Sequence, residues 1–153
     1  MLCRTMRVLG VVVASMSGGL LACSLAACSS PPQATPGPGV LGAGMSEVSI
    51  AGQPLVASEL VRCSPAGAQT TIVTGKDGEG TIATIDSTGG LAARSVELRS
   101  VDGFTGSYWQ GLGDAPTVVQ IGRTYEIKGS AMGFDAKNPS ARISQRYSIR
   151  VAC

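Results

Sequence analysis

Hydrophobic and polar positions follow different rules in successive parts of the chain. Met1 to Arg7 is short and basic, and Val8 to Ala27 is an apolar run broken by Ser15, Ser17, Gly18 and Gly19. A basic head, an apolar core and an exit of small residues predict a cleaved secretory leader over residues 1–27, in place of a permanent transmembrane helix. Periodicity then disappears. Residues 28–46 hold Pro31, Pro32, Pro36 and Pro38 with Gly37, Gly39, Gly42 and Gly44, and no charge. Such a segment buries too little apolar surface to offset its ordering entropy, which predicts a spacer. Its reach is roughly 20–25 Å as a random coil and up to about 55 Å as polyproline II.

From residue 47 to residue 153 the period is two, the period of a half-buried strand. Tyr125, Ile127, Gly129, Ala131 and Gly133 alternate with Thr124, Glu126, Lys128 and Ser130. Tyr147, Ile149, Val151 and Cys153 alternate with Arg146, Ser148, Arg150 and Ala152. Shorter strands are predicted at Ile82 to Ile85, Val96 to Leu98 and Val118 to Ile121. Turn signals separate them: Gly75 to Gly80, Ser87 to Gly90, Asp102-Gly103, Gly122-Arg123 and Asn138-Pro139. Leu91 to Arg94 reads as one helical turn. The expectation is an all-β domain over 47–153, an antiparallel β-sandwich or open barrel.

The exit of the leader, Leu25-Ala26-Ala27-Cys28, resembles the bacterial lipobox. In that pattern a cysteine thiol takes a diacylglyceryl group and becomes the new N-terminus after cleavage. Small residues before it admit the peptidase, and Ser29-Ser30-Pro31-Pro32 keeps the site extended. Leu20-Leu21-Ala22-Cys23 competes, with a bulkier Leu21. Cys28 is therefore the expected lipidation site and the membrane the expected partner, on the extracytoplasmic side. Two or more acyl chains hold a protein on a bilayer stably. Loss of Cys3 and Cys23 with the leader, and use of Cys28 for lipid, leaves Cys63 and Cys153. Two cysteines in an exported domain predict one disulfide. Two thiolates without histidine or a C-x-x-C partner do not fill a tetrahedral metal site, so no metal is expected.

Charge narrows the function. The chain has 12 Lys+Arg against 10 Asp+Glu; removal of Arg4 and Arg7 with the leader leaves 10 against 10, a net charge of zero. That removes the electrostatic case for nucleic acid, which needs a clustered positive excess. The chain contains 0 histidines, so imidazole serves neither as base nor as ligand. No Gly-x-Ser-x-Gly elbow occurs, and nothing selects one serine for a dyad with Lys76, Lys128 or Lys137. Gly75 to Gly80 lacks the Lys-Ser/Thr ending of a phosphate loop and reads as a charged hairpin turn. Asp77, Glu79 and Asp86 read as solvated turn carboxylates in preference to a calcium site. The expectation is a non-enzymatic protein with no cofactor.

Two features remain as candidate binding surface. Arg142, Arg146 and Arg150 fall on one face of a strand, with Ser144 and Ser148 between them. They read either as a basic stripe for anionic head groups or a partner, or as a solvated face that discourages edge pairing, and Glu126 nearby favours the second. Tyr108 and Trp109 read either as an exposed contact or as a core plug, the second favoured because aromatic residues are only 4% of the chain.

The order of these pieces resembles the mycobacterial 19 kDa lipoprotein antigen family. The lipobox and tether come first, then Val61-Arg62-Cys63 and Val101-Asp102-Gly103-Phe104-Thr105. Tyr125 to Asp135, Asn138-Pro139 and the closing Tyr147-Ser148-Ile149-Arg150-Val151-Ala152-Cys153 follow, so that the resemblance covers residues 59–153. It implies a surface antigen of the cell envelope with no enzymatic reaction. It further implies an acylated terminus sensed by host Toll-like receptor 2, and a role as an adhesin. The family's best-known member has a tether rich in serine and threonine that can be glycosylated, whereas the tether here offers only Ser29, Ser30, Thr35 and Ser46. An alternative role is an envelope lipid carrier, a sandwich with an apolar cavity. Val, Ile, Ala and Gly at the inner positions leave that open.

Overall fold

The computed structural model of the chain describes residues 37, 39–54, 60–76 and 78–153. The leader, Cys28 and Asp77 lie outside the described residues. Ten strands run in chain order: β1 Ser46–Ile50, β2 Gln53–Pro54, β3 Val61–Ala66, β4 Gln69–Thr74 and β5 Gly80–Asp86. They continue as β6 Ala92–Val101, β7 Phe104–Trp109, β8 Thr117–Ile121, β9 Thr124–Asp135 and β10 Asn138–Ala152. All pair antiparallel in one sheet; nine follow the order β2-β1-β10-β9-β7-β6-β5-β4-β3, and β8 pairs with β9 off this path. Among the described residues no ladder joins β2 to β3, so the sheet is open and not a closed barrel.

Strand β9 organises the sheet. Along one edge it pairs with β10 from Thr124↔Ala152 to Gly133↔Ile143. Its other edge is shared: β8 takes Thr124 to Lys128, and β7 takes Met132 to Asp135. The sheet is curled enough that Cys63 on β3 is disulfide-bonded to Cys153 just beyond β10, with the Cα atoms 5.8 Å apart. A strand at one end of the sheet order is thereby tied to the last residue of the chain. The core lies on the inner face. Ile127 and Ile149 are direct cross-strand partners and both are fully buried. Each contributes roughly 1.5–3 kcal/mol by leaving water.

The small residues that alternate along β9 have a steric cause. A Cβ on Gly129 would lie 2.8 Å from the Tyr147 hydroxyl and 3.0 Å from Pro116. On Gly133 it would lie 2.0 Å from the Thr105 carbonyl oxygen. Gly106, opposite Gly133, has the Phe104 ring 2.6 Å from the place of its Cβ. Rings lie where side chains are missing, so glycine on the inner face is packed and not empty.

Turn chemistry fits where it is tight. Val101 pairs with Phe104 across Asp102-Gly103, both at positive φ (52° and 77°), as a two-residue hairpin of the primed type requires. The Asn138-Pro139 turn is corrected: Ala136-Lys137 makes the reversal, with the Lys137 amide donating to Asp135 Oδ1 at 2.8 Å, and Asn138 opens β10. Pro139 falls where the β9–β10 register is interrupted, so its missing donor breaks no ladder bond. The helical turn at Leu91 to Arg94 is also corrected. Ala93 faces Ile85 and Ser95 faces Thr84, leaving Arg94 as the extra residue of a bulge.

The body also begins before the expected end of the spacer at residue 46. The Gly44 amide donates to the Ala152 carbonyl at 3.0 Å, and the Leu41 amide to Thr124 Oγ1 at 3.0 Å. The chain therefore joins the sheet beside the ends of β9 and β10.

Candidate functional site

Strict alternation on β7, β9 and β10 divides the predicted site residues between two faces. Tyr108 points inward and is 4% exposed, packed with the core. Trp109 points outward and is 49% exposed, so the sole tryptophan is not a core plug. Arg142, Arg146 and Arg150 share the outer face of β10, as their spacing predicts, but their surroundings differ.

Arg150 faces Glu47 on β1 and Glu126 on β9. Its Nη1 donates to Glu47 Oε2, and its Nη2 donates to the Gly39 carbonyl at 2.9 Å. This guanidinium is occupied in holding the entering chain to the sheet. Other outer cations are likewise neutralised by neighbours: Lys128 by Glu126 at 2.7 Å and Arg99 by Glu97 at 2.7 Å. Arg146 faces Ser130, and neither it nor Arg142 has an acidic partner among the described residues.

The structure places Trp109 and Arg142 along one outer groove of about 580 Å³. Met132 and Phe134 form its apolar floor, Pro139 and Arg142 one rim, and the Glu97–Arg99 pair the other. Two irregularities border it: the β6–β7 register breaks between Leu98 and Val101, and the β9–β10 register breaks between Asn138 and Ile143. Bulges bend a strand and raise its twist, which accounts for the hollow. Met132 is 57% exposed, and Leu112, in the turn bonded back to the Trp109 carbonyl, is 71% exposed. Met132 and Phe134 are the groove residues that sequence reasoning missed. Their signal is a phase violation, since they continue the polar phase Glu126, Lys128, Ser130 as apolar residues.

The titratable groups with displaced equilibria lie elsewhere and are structural. Asp86 is held far below the usual carboxylate range by hydrogen bonds from the Thr88 hydroxyl and amide, then by Arg94. Arg94 Nε and Nη2 both reach Asp86 Oδ2, at 2.9 and 2.6 Å, and the Thr88 amide reaches Oδ1 at 2.7 Å. This carboxylate fixes the β5–β6 connection. Burial, then the neighbouring Tyr108, pushes the Tyr147 phenol above its ordinary value. The Tyr147 hydroxyl is buried and has no hydrogen-bond partner among the described residues. Among the described residues no group of three or more His, Cys, Asp or Glu is placed to hold a metal, and no helix is long and apolar enough to cross a membrane.

Comparison with known proteins places this fold. Residues 39–153 match the family described as Mycobacterium 19 kDa lipoprotein antigen. Similar proteins include a probable lipoprotein LppE of Mycobacterium tuberculosis, 36% identical over 38% of this chain and 41% of LppE. The lipoprotein LpqH of Mycobacterium avium is 30% identical over 71% of this chain and 68% of LpqH. LpqH of Mycobacterium bovis is 30% identical over 61% of this chain and 59% of its own length. The chain thus spans less than two thirds of LppE and of the Mycobacterium bovis LpqH. The chain belongs to the 19 kDa lipoprotein antigen family.

Proposed function

Taking membership of that family as the premise, we propose that this chain is a non-enzymatic envelope lipoprotein, anchored through acyl chains on Cys28, whose β domain displays a binding surface outside the membrane. The observation that carries the reading is Leu25-Ala26-Ala27-Cys28, behind a basic and apolar leader, at the head of a lipoprotein-family domain. The leader 1–27 is removed, residues from Cys28 to the start of the body act as tether, and the acyl chains are what host Toll-like receptor 2 senses. Acyl chains offer a receptor groove a large apolar surface. The domain buries Phe104, Tyr108 and Tyr147, so the acyl chains supply the larger apolar surface for a receptor groove. The inner positions of the sheet are filled by packed side chains, which lends no support to a carrier cavity.

The test is Cys28→Ala in the native host, read by membrane partition, intact mass and a Toll-like receptor 2 reporter. Expected outcomes are loss of acyl mass, release into the aqueous phase or retention of the uncleaved leader, and loss of reporter activity. A variant that stays membrane-bound with a cleaved, acylated mass overturns the assignment of Cys28.

A further inference from the structure

We propose that the outer groove around Trp109, Met132 and Phe134, with Arg142 and Arg146, docks the domain flat on the surface of an anionic phospholipid bilayer. The proposal rests on the anchor at Cys28, which supplies proximity to that surface. The first support is charge. On the same face the cations Arg150, Lys128 and Arg99 are neutralised by Glu47, Glu126 and Glu97. Among the described residues, Arg142 on the groove rim and Arg146, four residues along the same outer face of β10, have no acid. An exposed apolar floor beside unpaired guanidinium groups matches the layered chemistry of a membrane interface, acyl carbon below and phosphate above. Tryptophan is the residue best suited to the boundary between the two.

Chain length supplies the second support. The tether joins the body at Gly39, bonded to Arg150 at one end of β10, and Arg142 lies toward the other end. Eight residues of strand between Arg150 and Arg142 span roughly 27 Å. Cys28 to Gly39 can extend to about 36–40 Å. The anchor therefore reaches past the groove, and the domain can lie down without straining its tether. Patch size selects a bilayer over a protein partner. A standard protein interface needs roughly 20–30 residues a side, far more than this floor provides. A tethered domain meets its own membrane at high effective concentration, so a small patch suffices.

The chain carries its own reporter, because Trp109 is its single tryptophan. The lipoprotein purified from its native membrane is placed in phosphatidylcholine vesicles with and without phosphatidylglycerol. Flotation reads the anchor; Trp109 emission and its quenching by bromine-labelled lipid read docking. Expected results are flotation with both vesicles, and a blue-shifted, quenched Trp109 on the anionic ones that reverts in high salt. Arg142→Gln with Arg146→Gln should lower the docked-to-free ratio roughly 25-fold, about fivefold for each charge. Met132→Ser should weaken quenching without changing its salt dependence. Both variants alter exposed side chains, and an unchanged thermal midpoint checks that they fold. Flotation with Trp109 unquenched on anionic vesicles overturns docking and leaves the anchor standing. Quenching equal on both vesicles and indifferent to the arginine substitutions also overturns it. Failure to float on neutral vesicles overturns the anchor instead, and quenching on anionic vesicles then supports the patch alone.

Discussion

The two faces of β9 obey opposite rules. Inward, Ile127 and Ala131 are buried, and at Gly129 and Gly133 the ring and backbone opposite leave no room for a Cβ. Outward, Glu126, Lys128, Ser130, Met132 and Phe134 are released from packing and sort by charge along the strand. Near the entry of the tether Lys128 and Arg150 are each paired with a glutamate, and toward the β9–β10 turn the outer face carries exposed Met132 beside Arg142. A face without packing constraints that is neutral at one end and both apolar and cationic at the other is where a binding role can reside. The inner face holds the fold, and substitutions there should report stability alone.

The largest break in that contrast should come from the disulfide that closes the curl. Replacing Cys63 and Cys153 together by alanine should cost about 2–5 kcal/mol, read as a lower midpoint in denaturant, because the bond closes a long loop in the unfolded chain. A shift below 1 kcal/mol would mean that the sheet curls without its tie. Neighbouring residues of β9 then test the two faces directly. Gly133→Val, which meets backbone atoms of β7, should cost about 3 kcal/mol or more. Met132→Ser, one residue away on the outer face, should stay within about 0.5 kcal/mol. Similar losses at the two positions would erase the distinction between the faces.

Tyr147 sharpens the contrast from the inside. Its buried hydroxyl lacks a partner among the described residues, and an unsatisfied buried group costs about 1–3 kcal/mol. Tyr147→Phe should therefore be neutral or stabilise by up to about 2 kcal/mol in thermal melts. Destabilisation would reveal a hidden hydrogen bond. The smallest effect is confined to acid. The folded pKa of Asp86 is depressed, so its contribution is complete above the ordinary carboxylate value near 4 and is lost as pH falls below it toward the folded value. Wild type should lose its advantage over Asp86→Asn progressively as pH falls below about 4 and keep it constant above pH 5. A difference that changes between pH 5 and pH 8 would place the carboxylate in another environment.

How much of this was legible follows from locality. Period two in Tyr125 to Gly133 and in Tyr147 to Cys153 announces the strands, because strand side chains alternate whatever the neighbouring strand is. Asp102-Gly103 announces its turn because only a few residue types tolerate positive φ. Leu91 to Arg94 looks helical in sequence because a bulge is defined by its partner strand, and its own sequence carries no mark of it. Tyr108 and Trp109 were read together, although alternation alone sends them to opposite faces; which face is the core depends on the rest of the sheet.

By itself the sequence determined the strand phases, the tight turn at Asp102-Gly103, the lack of imidazole chemistry and the pool of cysteines available for pairing. These depend on residue type and on neighbours one or two positions away. The tertiary structure decided that β9 shares one edge between β7 and β8, and that Arg150 binds Glu47 while Arg142 stands beside Met132 and Phe134. Each of these depends on register between strands far apart in sequence, and a shift of one residue would have turned every side chain to the other face.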